Sequence, residues 1–265
     1  MPIDNISGVA WSSVSGVSGK NASDIASLSD IAAPVAGGAD ISFDDITVSK
    51  GKQDVGPSTA FNVTLPTTAG VGDWVLAMFT IDDPIASGIT QNPTGWTLIN
   101  TTTWGNNTSD AHIKLWYKEL DGSEGSTFPV YATILTTRGI VAWTTIVSNI
   151  DTTNPISAVG TPAISDTTNA QSATITAPSV SVPDDGTFIC LNAFDGGDGE
   201  PFAYVNSSFT FTDGGEDESG AGSTAEVSSA WKYATITGGS QTNTTLITAQ
   251  VSNGKVAGHF ALKKA

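Results

Sequence analysis

Residues 111–151, AHIKLWYKELDGSEGSTFPVYATILTTRGIVAWTTIVSNID, limit what this chain can fold into more than any other stretch. Ile113, Leu115 and Tyr117 alternate with Lys114, Trp116 and Lys118, the two-residue period of a strand with one face turned inward. DGSEG at 121–125 reads as a turn. Phe128, Val130, Ala132 and Ile134 then alternate with Pro129, Tyr131 and Thr133. A second break falls at TTRG, 136–139. Beyond it Ile140, Val141, Trp143, Ile146 and Val147 leave few polar positions, as in a strand buried on both faces. Three strands joined by short breaks predict an antiparallel meander.

The same order returns at 225–264, AEVSSAWKYATITGGSQTNTTLITAQVSNGKVAGHFALKK. Trp231 takes the place of Trp116 at an offset of about 115 residues, GGSQ replaces DGSE, and NGKVAG replaces TRGIVA. Upstream, GDWVLAMFTIDD (72–83) matches GTFICLNAFDGG (186–197), and FNVTLPTTAGV (61–71) loosely matches ATITAPSVSVP (173–183). Thr-rich strands resemble one another by convergence. Here order, spacing and turns agree together, which favours a duplication with halves at about 58–150 and 170–263. Each half has an apolar face it cannot bury alone, so the halves are expected to close on each other.

Composition agrees with an all-β chain. Gly (28), Pro (12) and β-branched residues are abundant, and helical apolar periodicity never exceeds about three turns. Twenty-six Asp and Glu against 10 Lys and Arg leave a net charge of −16. That balance argues against nucleic acid and anionic membrane surfaces as partners. The simplest reading of the charge is solubility in salty water. The one cysteine, Cys190, sits in an apolar run, so no intrachain disulfide is expected and the thiol reads as a core group. The first residues have neither a basic n-region nor an apolar h-region, and no run approaches a membrane span.

Residues 1–40 differ in kind and are read as an N-terminal arm, with a β-sandwich domain at 41–265. Ile6, Val9, Trp11, Val14, Val17, Ile25, Leu28 and Ile31 are isolated among Ser, Gly and Asp. Such a segment cannot bury enough to fold alone. The spacing favours an arm that orders against a neighbouring subunit over a disordered tail. Further strands are expected at 41–50, 61–65, 73–81, 95–104 and 187–194, the second run at 73–81 being central. Loops are expected at 50–58, 82–95, 195–204 and 212–223.

GDWVLAMFTIDD, GWTLI, the DGSE turn, the crossover NIDTTNPI and the closing AGHFALKK together resemble a jelly-roll-like antiparallel β-sandwich domain of phage and prophage virion proteins, over about residues 58–263. ISGVAWSSVSGVSG is similar to short repeats at the ends of phage tail and virion proteins. The resemblance implies a virion location, other capsid or tail proteins as partners, and an attachment role for the arm. It brings no catalytic residues. The longer acidic loops of the second half depart from the pattern.

Direct tests for chemistry give little. His112 and His259 both lie in expected strands, and no GxSxG elbow or phosphate loop is present. Zinc-type ligands are too few. The acidic runs DGGDGE (195–200) and DGGEDE (213–218) carry oxygen ligands of the kind Ca²⁺ takes, though they also read as solvated loops and fit no EF-hand spacing. Carboxylate pairs such as Glu216 with Glu218, or Asp195 with Asp198, are the candidates for a glycan hydrolase. Trp104 beside Asn106 and Asn107 offers a stacking face for a host surface glycan, against the alternative of a Trp packed over a sandwich end. The expectation is therefore a non-enzymatic virion structural protein without a cofactor. It would decorate the head or form part of a tail fibre, as a homo-oligomer, a trimer, that covers its edge strands. A carbohydrate-binding module is the alternative and a glycan hydrolase the third reading.

Overall fold

The computed structural model describes residues 39–265 apart from 57, 83–88, 90–91, 101–103, 106–110, 132–135, 166–171, 196–201, 221–225, 238–243 and 253, together with residues 16–17 and 20–21. The chain divides into two compact units, Met1–Gly38 and Ala39–Ala265. In the first, β1 (Gly16–Val17) pairs antiparallel with β2 (Lys20–Asn21). Ile6, Val9, Trp11, Val14, Ile25, Leu28 and Ile31 of the expected arm lie outside the described residues, and only the backbone of Val17 is described.

The second unit is an antiparallel all-β structure. Its first half contains β3 (Ser42–Val55), β4 (Phe61–Thr64), β5 (Trp74–Asp82), β6 (Thr97–Leu98), β7 (Ala111–Glu119), β8 (Thr127–Val130) and β9 (Thr136–Ser148). They form a large sheet ordered β3-β9-β5-β7-β6 and a small sheet β4-β8. The second half contains β10 (Ile156–Val159), β11 (Ala163–Ser165), β12 (Ser172–Ala177), β13 (Gly186–Asp195), β14 (Ala203–Val205), β15 (Thr212–Glu218), β16 (Val227–Ile236), β17 (Thr245–Ser252) and β18 (Lys255–Lys263). Its large sheet runs β10-β18-β13-β16-β15, with β11 also on β18, and its small sheet runs β12-β17-β14. The order β9-β5-β7-β6 is repeated as β18-β13-β16-β15, and β4-β8 as β12-β17, so the two halves share one strand plan.

The layers stack small, large, large, small. Between the large sheets, Leu76, Met78, Ile113, Leu115 and Trp143 meet Ile189, Leu191, Trp231 and Phe260. On its other face the first large sheet sets Val75, Ala77, Phe79 and Trp116 against Phe61, Val63, Phe128 and Val130. The second sets Cys190, Phe194 and Ala257 against Ile175, Ala177 and Ile247. β5 and β13 are thus apolar on both faces, which is why their sequences do not alternate.

Several expectations need correction. The stretch 111–151 is not a meander: β5 lies between β7 and β9, and β8 leaves to pair with β4 in the small sheet. Strand β9, apolar on both faces, belongs in a central layer, whereas β8 exposes Thr127 and Pro129. TTRG at 136–139 does not break the chain, since β9 begins at Thr136. The expected loop at 50–58 is strand as far as Val55. The strand expected at 95–104 shrinks to Thr97–Leu98 plus one bridge from Trp104 to Ile113.

Trp231 does not take the place of Trp116. Trp116 faces the small sheet, while Trp231 lies between the large sheets, opposite Leu191 as Tyr117 lies opposite Leu76. A shift of one residue inverts the face of a strand side chain. Trp231 therefore corresponds to Tyr117, one position beyond Trp116.

DGGEDE at 213–218 is not a loop but edge strand β15. Its two glycines admit tryptophan rings. A Cβ on Gly215 would lie 2.5 Å from the Trp143 ring, and one on Gly214 would collide with Trp231. Gly215→Val is expected to destabilise the fold by about 1–3 kcal/mol through overpacking. Urea unfolding checks this, and an unchanged midpoint would show that β15 does not rest on those rings.

The outer edges of the large sheets are each blunted, by the devices that discourage edge pairing. β3 is bulged between Asp44 and Thr47. Asp45 sits at φ 49° there, and its carboxylate accepts from the Thr68 N–H at 2.7 Å and the Thr68 hydroxyl at 2.8 Å. β6 is two residues long, and β10 and β11 are short pieces on either side of Pro162. β15 is acidic and bulged between Asp213 and Gly215. The case for an oligomer that covers these edges is weakened accordingly. Ion pairs from Lys50 to Asp217 and Lys52 to Glu226 join the two halves at one edge.

Candidate functional site

His259 on β18 lies in the second half's outer layer, beside Cys190 in the ladder. Its Nδ1 is 2.6 Å from the Pro178 carbonyl, which can only accept, so Nδ1 carries the proton. Nε2, 2.9 Å from Thr245 Oγ1, then accepts from that hydroxyl. Both nitrogens are occupied, the ring lies 4.4 Å from Phe188, and burial lowers the pKa from 6.5 to about 4. Burial also pushes the Cys190 thiol well up, against the lowering effect of its hydrogen bond with Thr245. This pair is built as core, not as nucleophile and base. His112 is likewise buried, on β7.

A second polar group lies between the same two sheets. The Tyr204 hydroxyl donates to Asn192 Oδ1 and lies 2.9 Å from the Ala230 carbonyl. Glu216 shares a sheet row with Ala230 and Asn192 and accepts from the Phe202 N–H at 3.1 Å. Burial raises its carboxyl above the ordinary range, while that N–H and Lys232 pull it back. Of the other candidate acids, Asp195 ends β13, Glu218 ends β15, and Asp198 lies outside the described residues. DGGDGE is described only at Asp195. Among the described residues, no three His, Cys, Asp or Glu side chains are placed to share a metal ion.

The glycan expectation fails at its central residue. Trp104 is 1% exposed and packs in the core between the large sheets, where its ring covers Gly258 of β18. Backbone bonds to Ile113 at 3.2 and 2.7 Å fix its position. A ring held that way cannot stack on a sugar. Asn106 and Asn107 lie outside the described residues.

The surface feature that sequence reading missed is a groove of about 460 Å³ at one end of the first half. Its apolar wall comes from Leu65, Ala69, Val71 and Leu120, with Glu124 on the rim. Val71 is 76% exposed, the most open large apolar side chain described. The facing turn is held by its own side chains: Asp121 accepts from the Ser123 N–H at 2.8 Å, and Glu124 accepts from the Gly122 N–H at 3.0 Å and pairs with Lys118. Hydrogen bonds from Ser123 hold the Asp121 carboxyl below its usual range. Burial pushes the Glu124 carboxyl up, but Lys118 and the backbone N–H groups outweigh it and leave the carboxyl lowered. An apolar wall with a hydrogen-bonded polar rim suits contact with another surface. The only sequence signal for it was two Gly-containing turns, PTTAGVG and DGSEG.

No family model, no curated protein and no solved structure matches the chain.

Proposed function

We propose that this chain is a non-enzymatic structural protein of a bacteriophage particle, exposed as a head decoration or as part of a tail fibre, and that it assembles through residues 1–38. The observation that carries the reading is the self-sufficiency of Ala39–Ala265: it covers both faces of its large sheets with its own layers and blunts its own edges. Assembly then falls to residues 1–38, whose sequence sets single apolar residues among Ser, Gly and Asp. The acidic surface suits a position facing solvent. The buried, fully hydrogen-bonded His259 and the buried Trp104 favour this reading over a hydrolase or a glycan module.

The test is incorporation. A chain lacking residues 1–38 is expected to fold with the melting temperature of the parent unit and to be absent from purified particles of the virus that encodes it. Incorporation at the parent level would overturn the reading.

A further inference from the structure

The repeated strand plan supplies an internal comparison. Faces of β5 and β13 agree only at an odd offset, because Leu76 and Met78 share the central layer with Ile189, Leu191 and Ala193. At 115 residues Asn192 corresponds to Ala77, and Lys255, opposite Phe194, corresponds to Ala142, opposite Phe79. At 113 the counterparts are Phe79 and Ile140. Either way the first half fills both positions with buried apolar side chains. The layer itself therefore has no need of a polar group there.

The second half places a cation and a carboxamide in those positions. Lys255 and Asn192 are both 0% exposed. Lys255 Nζ has no hydrogen-bond partner among the described residues and lies 5.9 Å from the centre of the Phe194 ring. Asn192 Oδ1 is occupied by the Tyr204 hydroxyl, but its Nδ2 has no partner among the described residues either. The two side chains share one face of the sheet as diagonal neighbours across the β13–β18 ladder. Such neighbours lie about 7–8 Å apart at Cα, within reach of a lysine. A buried ammonium without a counter-charge is among the costliest groups a fold can carry. Two kinds of N–H donor without a partner among the described residues lie on this one face, and the group that would satisfy both is acceptor-only and negative.

We propose that Lys255 and Asn192 form a binding site for a compact oxyanion, of carboxylate or phosphate type, between the second half's two sheets. The anion accepts from Lys255 Nζ and Asn192 Nδ2, with the Phe194 ring as an apolar wall. Burial lowers the lysine's pKa when the site is empty, and a bound anion restores the charged form. This site is independent of assembly through residues 1–38, and either can fail alone.

The experiment is thermal unfolding of the full chain at constant ionic strength in chloride, acetate and phosphate. Saturating acetate or phosphate is expected to raise the melting temperature by about 5 °C over chloride. Lys255→Met, close in shape and uncharged, removes the difference, and Lys255→Arg keeps part of it. A response to acetate alone identifies a carboxylate, and a response to phosphate alone a phosphate. A wild-type chain indifferent to all three anions overturns the site, as does a Lys255→Met variant that responds like wild type. Either result would leave Lys255 as a buried neutral amine.

Discussion

Trp104→Ala is expected to cost about 3–5 kcal/mol of folding stability, the range for truncating a fully buried aromatic side chain. The ring stands between the large sheets and covers Gly258, whose Cβ would lie 2.5 Å from it. Removing it opens a cavity bounded by both halves, and Gly258 has no side chain to fill it. Against a total stability of about 5–15 kcal/mol for a domain, that loss is large. Denaturant unfolding checks it. A variant within about 0.5 kcal/mol of the parent would mean that the ring stands outside the core and would reopen the stacking role.

The second large effect is on pH. The His259 pKa falls from 6.5 to about 4 in the folded chain. Above pH 6.5 the ring is neutral folded and unfolded, and its contribution to stability is complete. As pH falls from 6.5 toward 4, the unfolded chain takes up a proton that the folded chain refuses. Each pH unit in that window removes about 1.4 kcal/mol, so crossing it removes about 3 kcal/mol. Carboxyls held low, such as Asp45 and Asp151 with their backbone N–H donors, lose their share only below the ordinary carboxylate range. Glu216, whose carboxyl is raised, works in the opposite direction. Unfolding measured at pH 7 and pH 4.5 for the parent and for His259→Leu separates these terms. The variant, less stable at pH 7, should show a much flatter profile. Equal slopes would place the titration elsewhere.

The strands whose sequences were legible are those with a strong one-sided or two-sided apolar pattern. β5, β7 and β13 fall within a residue or so of expectation, and β5 is central as its apolar run implies. Pairing was harder to read. Nothing in 111–151 says that β5 enters between β7 and β9, because a sheet neighbour 60 residues away leaves no local mark. β15 was missed because glycine and acids are poor strand formers. Its glycines are there to admit Trp143 and Trp231, a reason visible only in three dimensions. Trp104 misled because a tryptophan between a short strand and a polar loop looks the same in sequence whether its ring turns outward or inward. Lys255 carried a signal in the sequence: a lysine opens the final strand just ahead of the apolar run Val256-Ala257-Gly258.

Light scattering coupled to size-exclusion chromatography tests the central claim most directly, on the full chain and on residues 39–265 side by side. Assembly through the N-terminal segment predicts an oligomer, a trimer by expectation, for the full chain and a folded monomer for residues 39–265. The same oligomer in both would contradict it, by placing the contacts on the β unit instead.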